Sequence, residues 1–107
     1  MRYKIPLREA RAAFDQRRAF NCNDTLRGHY GSPTTYGRLA AMWVAYIRQF
    51  RDQIVYSVVS YDTPIAWVMR DGRVIVPPAW YSQTTSRHVS ALRLRYSPAP
   101  AMSAEAA

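Results

Sequence analysis

Hydroxyl side chains, an arginine and a histidine lie close together between Tyr81 and His88. Such a group could supply a nucleophile, with His88 taking a proton from the hydroxyl of Thr85 or Ser86. Acyl transfer also requires a carboxylate that orients the histidine and donors that stabilise an oxyanion, and the sequence has no nucleophile-elbow motif around these residues. We therefore expect that the protein is not an enzyme.

A simpler interpretation places the same residues at the start of a helix. Thr84 or Thr85 can cap the first turn through its hydroxyl, and the helix can continue to about Tyr96. Arg87 and His88 would then project from this first turn, beside backbone N–H groups that attract anions. The segment therefore predicts a binding surface rather than a catalytic centre.

The segment before this helix predicts three strands joined by tight turns. Residues 54–61 are β-branched and aromatic on both faces, which is typical of a central strand. Ile65–Arg70 and Arg73–Val76 predict a hairpin closed by Asp71-Gly72, because a two-residue type I′ turn requires positive φ at both central positions. The three strands should form an antiparallel meander.

Two further helices are predicted upstream of the strands. Pro6 can occupy the first turn of one of them. The other runs from Leu39 to Phe50, where apolar residues recur at i, i+3, i+4 and i+7. Residues 21–36 lie between these helices and predict a loop with short strands at most. The apolar positions of the second helix are Leu39, Met42, Trp43, Tyr46, Ile47 and Phe50.

These elements predict an α+β fold, a three-stranded antiparallel meander with about three helices packed on it. Residues 1–96 should form a single domain, since a chain of 107 residues is large enough for one modest core. Residues 97–107 consist mainly of Ala, Pro and Ser and have little to bury, so we expect a disordered tail.

Positive charge is the strongest compositional signal. Fifteen Lys and Arg residues against seven Asp and Glu residues give a net charge of +8, and every basic residue except Lys4 is an arginine. GC-rich codon usage explains the choice of arginine over lysine but not the excess of positive charge. Guanidinium groups bind carboxylates and phosphates in a bidentate manner. The partner should therefore be an acidic protein surface, a nucleoprotein complex of the host, or DNA or RNA.

Nothing in the sequence indicates a metal site, a cofactor or a membrane anchor. Cys22 is the single cysteine and His29 and His88 are the two histidines, which is too few ligands for a structural zinc site. No apolar run approaches the roughly 18–20 residues that cross a bilayer, and the N-terminal residues contain no signal-peptide h-region. We expect a cytosolic protein.

The predicted partner-binding surface combines the hairpin with the start of the last helix. The hairpin leads directly into Pro77–Tyr81, and the helix must return to the sheet, so the two elements should lie close together. Interleaved arginine and aromatic side chains suit single-stranded nucleic acid, and they suit a protein interface equally. The predicted contact residues are Arg70, Arg73, Trp80, Tyr81, Arg87 and His88.

Two motifs resemble those of a family of small uncharacterised proteins found in phages and mobile elements. One is Val59-Ser-Tyr-Asp-Thr-Pro-Ile-Ala-Trp67, and the other is Tyr81-Ser-Gln-Thr-Thr-Ser-Arg-His88. The similarity covers about residues 25–92. The resemblance implies an origin in a phage or mobile element, and it assigns no functional residues.

Small accessory proteins of that origin often block a host system by binding, as anti-CRISPR proteins do. Inhibitors that mimic DNA are acidic, whereas this chain carries the opposite charge. We therefore expect an inhibitor of a host defence complex, of the anti-CRISPR type, that binds an acidic face of the complex or nucleic acid within it. The alternative is a nucleic-acid-binding accessory protein.

Overall fold

The computed structural model describes residues 3–78 and 82–98. Two short 3₁₀ turns, Leu7–Glu9 and Arg51–Gln53, precede the first helix and the central strand. The helices are α1 (Ala10–Asp15), α2 (Ala41–Gln49) and α3 (Gln83–Ala91). The strands are β1 (Phe20–Cys22), β2 (Leu26–Tyr30), β3 (Ile54–Ser60), β4 (Thr63–Met69) and β5 (Val74–Ile75).

The strands form one antiparallel sheet in the order β1-β2-β3-β4-β5, so each strand pairs with its neighbour in sequence. The predicted α+β class and the antiparallel arrangement of β3, β4 and β5 are confirmed. The predicted number of three strands is wrong, because the sheet continues on the other side of β3 through β2 and β1.

Strands β1 and β2 lie in the segment predicted to be mostly loop. Asn23 and Asp24 connect them with φ angles of 52° and 59°, a left-handed conformation that Asn and Asp adopt more readily than other non-glycine residues. Gly28 lies inside β2, where an added side chain would overlap the ring of Phe20 and the hydroxyl of Tyr56. This glycine looks like a turn residue in the sequence, but it is required by packing within the sheet.

The hairpin between β4 and β5 has the predicted antiparallel pairing, but its turn differs from the predicted one. The N–H of Met69 donates to the carbonyl oxygen of Arg73 at 2.8 Å, and the N–H of Gly72 donates to that of Met69 at 2.9 Å. Gly72 has a φ of 96°, whereas Asp71 does not adopt a positive φ. The predicted two-residue type I′ turn is therefore wrong, and the loop has three residues that end in a left-handed glycine.

Helices cover both faces of the sheet. Trp67 and Val68 are successive residues of β4, so their side chains point to opposite faces and belong to different cores. Helices α1 and α3 cover the Val68 face, and α2 covers the Trp67 face. The first core includes Ala10, Ala13, Phe14, Phe20, Leu26, Tyr56, Val58, Val68, Val89 and Leu92. The second contains Trp43, Tyr46, Ile47, Ile54, Trp67 and Met69.

Helix α2 has the predicted inner face, except at its edge. Trp43 and Ile47 are only 3% and 0% exposed, and Leu39 and Phe50 are partly buried against the same core. Met42 is 52% exposed, so its predicted inward position is wrong. Successive residues of a helix are rotated by about 100° around its axis. This rotation moves Met42 to the rim when Trp43 faces the sheet.

Segments from near both ends of the chain lie along the two sheet edges. Beside β1, the N–H of Ile5 donates to the carbonyl oxygen of Asn21 at 3.0 Å, and the N–H of Asn21 donates to that of Tyr3 at 2.9 Å. Beside β5, the N–H of Val76 donates to the hydroxyl of Ser97 at 2.9 Å, and the N–H of Ser97 donates back to Val76 at 2.8 Å. The rest of the predicted tail, from residue 99, lies outside the described residues.

Helix α3 is shorter than predicted. Arg93 has a φ of 52°, and the N–H of Leu94 donates to the carbonyl oxygen of Val89 at 3.1 Å. A left-handed residue with this hydrogen bond is a common helix end. The helix therefore ends near Ala91, and Tyr96 is exposed rather than inward-facing as predicted.

Candidate binding surface

Arg70 and Arg73, two of the predicted contact residues, lie at one end of the sheet. The N–H of Arg70 donates to the carbonyl oxygen of Gln53 at 2.6 Å, and its guanidinium donates to that of Asp52 at 2.8 Å. Both contacts place Arg70 beside the start of β3. Arg73 forms an exposed ion pair with Asp71 at 2.8 Å, which offsets much of its charge.

Arg87 lies near the other end of the sheet. Its neighbour His88 contacts Ser60, the last residue of β3, whereas the hairpin loop lies beside Ile54, the first residue. Ile54 and Ser60 lie at opposite ends of β3, and they are roughly 20 Å apart because a strand rises by about 3.3 Å per residue. The structure therefore does not bring Arg87 together with the hairpin arginines. The predicted contact residues outside the described part of the chain are Trp80 and Tyr81.

His88 is buried and does not project from the helix as expected. It is 4% exposed, and its Nδ1 lies 2.7 Å from Oγ of Ser60, which is 1% exposed. The hydroxyls of Ser60 and Thr85 are 2.9 Å apart. The helix cap is Ser82, whose hydroxyl accepts from the N–H of Thr85 at 3.2 Å. The predicted cap at Thr84 or Thr85 is therefore wrong.

The buried hydrogen bonds among Ser60, Thr85 and His88 connect α3 to the end of β3. Burial lowers the pKa of His88, so the imidazole is neutral at pH 7 and its tautomer decides whether Nδ1 donates or accepts. A nucleophile must reach its substrate, and Ser60 is enclosed between the sheet and α3. We therefore assign the network a structural role. Ser60 was not among the predicted site residues, although a serine inside an apolar strand indicates the need for a polar partner.

Other side chains that could do chemistry show no comparable clustering in the described chain. Within residues 3–78 and 82–98, no group of three or more His, Cys, Asp or Glu residues could hold a metal ion. Cys22 is buried, and burial followed by the charge of Glu9 raises the pKa of its thiol. No helix in the same residues is long and apolar enough to span a membrane.

Two arginines bracket the ring of Tyr36. The guanidinium of Arg51 donates to the Tyr36 hydroxyl at 3.2 Å, and that of Arg48 lies over the ring, 5.6 Å from its centroid. Burial raises the pKa of the Tyr36 hydroxyl, but the two guanidinium groups outweigh this effect and bring the pKa below its usual value. Arg48 lies in the last turn of α2 and Arg51 in the turn that follows it.

Arg70 extends this cationic group, because its contact with Asp52 places it beside the turn that carries Arg51. We call Arg48, Arg51 and Arg70, together with Tyr36, the basic end. All three arginines are exposed. The ion pairs between described residues are Arg11–Asp15 and Arg73–Asp71, so neither of them neutralises the basic end.

A second candidate site, which contains one arginine, lies over β2. Tyr3, Arg27 and His29 line a cavity of about 240 Å³, together with two threonines of the following loop. The guanidinium of Arg27 also donates to the carbonyl oxygen of Tyr61 at 2.9 Å. An exposed tyrosine beside an arginine can stack on a base and pair with a phosphate. The sequence does not indicate this site, because the short strand β2 resembles a loop.

Comparison with known proteins assigns a family to the fold. Residues 15–99 match DUF8033, a family of unknown function. The chain belongs to this family. No curated protein and no solved structure matches the chain. The DUF8033 match includes all five strands, α2, α3 and the basic end, whereas most of α1 precedes it. The predicted membership of an uncharacterised family is confirmed, and the origin in a phage or mobile element stays a prediction.

Proposed function

We propose that the protein is a phage or mobile-element accessory protein that binds an acidic partner non-covalently and thereby inhibits a host defence complex in the host cytosol, as anti-CRISPR proteins do. The observation that carries the binding proposal is the basic end, where three exposed arginines lack a carboxylate partner among the described residues. The proposed origin rests on the resemblance of the Val59–Trp67 and Tyr81–His88 motifs.

An acidic partner fits the basic end for an electrostatic reason. Like charges held close together repel each other, and an anion between them relieves that repulsion. Tyr36 holds Arg48 and Arg51 in place by a hydrogen bond and by ring contact, so less side-chain entropy is lost when they bind. Guanidinium groups also pair with carboxylates in a bidentate geometry. A surface that presents several carboxylates should therefore bind more tightly than a neutral one.

The binding proposal is tested with acidic probes. Fluorescein-labelled poly-glutamate, duplex DNA and single-stranded DNA are titrated with the protein, and polarisation is measured at low and at physiological ionic strength. We expect the binding to weaken as the salt concentration rises. We also expect the Arg48→Glu/Arg51→Glu variant not to bind poly-glutamate. The matched control is Arg87→Glu/Arg95→Glu, which makes the same change in net charge on exposed residues elsewhere.

The control variant should retain the affinity of the wild-type protein for poly-glutamate. Equal losses in both variants would show that net charge alone drives binding, and the basic end would not be the site. If none of the three probes binds the wild-type protein, the proposal of an acidic partner fails.

Inhibition is tested separately in cells. The protein is expressed in strains whose CRISPR systems eliminate a targeted plasmid, and the transformation efficiency of that plasmid is measured. We expect transformation to recover with the wild-type protein and not with Arg48→Glu/Arg51→Glu. If no type of CRISPR system is relieved, the inhibitor proposal fails, whereas the binding proposal is judged by the probes.

Nucleic-acid binding is the second candidate, and the cavity beside β2 favours it. Tyr3 and Arg27 lie on its border with His29, an arrangement that suits one stacked base and its phosphate. In this case single-stranded DNA should bind more tightly than poly-glutamate, and Arg27→Glu should weaken its binding more than Arg48→Glu does. The opposite order would favour the acidic protein partner.

A further inference from the structure

Helix α2 is apolar on its outer face as well as on its inner face. Ala41, Val44 and Ala45 follow the i, i+3, i+4 spacing that places side chains on one side of a helix. Together with Leu39 and Arg48 they line a shallow depression on the protein surface. We call Ala41, Val44 and Ala45, with the exposed Met42 at their rim, the outer stripe.

The outer stripe is unusual for a helix that faces solvent. No residue from Leu39 to Ile47 is charged, although a surface helix normally carries charged and polar residues on its outer face. Ala41, Met42 and Ala45 are nevertheless exposed. A partner that covers the stripe would remove this surface from water.

The charges around the stripe indicate the chemistry of that partner. The stretch from Gly37 to Arg51 contains no Asp or Glu, and Asp52, the acid that follows it, forms no ion pair with a described arginine. Arg48 lies at the C-terminal end of the stripe and lines the same depression, and Tyr36 holds Arg51 next to it. The surface is therefore apolar in its middle and carries Arg48 and Arg51 at its C-terminal end, so the complementary surface is apolar with carboxylates that face these two arginines.

We propose that the outer stripe docks an acidic amphipathic helix of a partner protein. The apolar side chains of that helix lie on Ala41, Ala45 and Met42, and its carboxylates pair with Arg48 and Arg51. The small side chains of Ala41 and Ala45 allow the two helices to approach closely, since the distance between packed helices depends on the side chains at the contact. This inference rests on the proposed function, because it identifies the partner of the basic end.

The structure favours this occupant over two others. In a dimer formed through the stripe, the basic ends of two chains that each carry a charge of +8 would add to the repulsion between the copies. Nucleic acid gains little from the stripe, because Ala41, Val44 and Ala45 offer neither an aromatic ring for stacking nor a hydrogen-bond donor for phosphate.

The test uses a synthetic acidic amphipathic peptide as the probe, with leucine at i, i+3, i+4 and i+7 and glutamate elsewhere. A peptide of the same composition in scrambled order is the control probe. We expect the amphipathic peptide to bind about tenfold or more tightly than the scrambled one. Equal affinity of the two peptides would overturn the inference.

Ala45→Arg blocks the stripe without removing an arginine, and Ala12→Arg is its matched control on an exposed position of α1. We expect Ala45→Arg to weaken binding of the amphipathic peptide about tenfold or more, and Ala12→Arg to leave it unchanged. Poly-glutamate should still bind Ala45→Arg, because it needs only the basic end. If Ala45→Arg binds the amphipathic peptide like the wild type, while Arg48→Glu/Arg51→Glu binds neither probe, the inference fails and the proposed function stands.

A cysteine probe in the stripe reports directly on what covers it. In the Ala45→Cys variant, the amphipathic peptide should slow the reaction of the new thiol with a maleimide, and the scrambled peptide should not.

Removal of residues 99–107 should leave the reaction rate of the Ala45→Cys thiol unchanged. A marked acceleration would show that the chain covers its own stripe, and a dimer that Ala45→Arg dissociates in sedimentation would show a second copy there. Either result would overturn the inference.

Discussion

The hydroxyl of Ser60 lies 2.7 Å from Nδ1 of His88, and this contact joins the last residue of β3 to the middle of α3. Both side chains are almost completely buried. Thr85, one turn earlier on the helix, shares the same hydroxyl at 2.9 Å. The position of α3 on the sheet therefore depends on polar contacts as well as on the apolar contacts of Val89 and Leu92.

Acid should destabilise the protein through His88. Burial lowers the pKa of His88 from 6.5, so below about pH 6.5 the unfolded chain takes up a proton that the folded chain resists. The contribution of His88 to stability is therefore complete above pH 6.5 and is lost as the pH falls toward its pKa in the folded state. Urea unfolding measured between about pH 7.5 and 5.5 should show this loss.

The His88→Gln variant is the control for this pH dependence. Its free energy of unfolding should change less over the same pH interval, whatever its absolute stability, because the remaining histidine, His29, is common to both proteins. Parallel pH profiles for the two proteins would contradict the assignment of the acid sensitivity to His88.

Neighbouring residues on α2 should respond very differently to truncation. Trp43→Ala removes a buried ring that contacts Trp67 and Tyr46, and it should lower the free energy of unfolding by about 3–5 kcal/mol. Met42→Ala removes an exposed side chain and should change it by no more than about 0.5 kcal/mol. Thermal or urea unfolding of both variants measures the difference. Similar losses in the two variants would mean that α2 packs on the sheet through a different face.

The hydroxyl of Tyr36 should titrate at lower pH than an ordinary tyrosine. Burial raises its pKa, but Arg48 and Arg51 together outweigh this effect and lower the pKa. The difference in ultraviolet absorbance between the wild-type protein and Tyr36→Phe isolates this one phenol from the other tyrosines. In the Arg51→Ala background the same difference titration should move to higher pH. An unchanged midpoint would show that Arg51 does not contact the hydroxyl in solution.

Arg70 and Arg87 should contribute unequally to partner binding. Arg70 lies in the basic end, whereas Arg87 lies near the opposite end of the sheet, next to His88. Arg70→Glu should therefore weaken binding of poly-glutamate more than Arg87→Glu does, although both change the net charge equally. Neither change should shift the melting temperature much, because exposed charges contribute little to stability. Equal effects on affinity would point to a diffuse electrostatic attraction.

The sequence predicted those parts of the fold that are determined by residues close together in the chain. The inner face of α2 and the pairing of β4 with β5 follow from periodicity and from the Asp71-Gly72 turn signal. Strands β1 and β2 are short, and the second contains Gly28, so their residues resemble a loop. Gly28 is explained only by Phe20 and Tyr56, which the fold brings against it.

The candidate site depends on contacts between distant residues, which composition does not reveal. The excess of arginine predicted an acidic partner, but not where its site lies. Arg51 reaches Tyr36 from 15 positions away in the sequence, and Ser60 supplies the buried partner of His88 from 28 positions away. His88 was expected at the surface because nothing near it in sequence indicated a buried hydrogen bond.

The segments that lie along β1 and β5 have a consequence for handling the protein. A free strand edge presents unpaired N–H and carbonyl groups to other molecules, which is a common start of aggregation. Tyr3–Ile5 and Ser97 occupy part of these positions within the same chain. Truncation that removes either segment should therefore reduce solubility before it disturbs the two cores. An affinity tag should be added outside both segments and should not replace them.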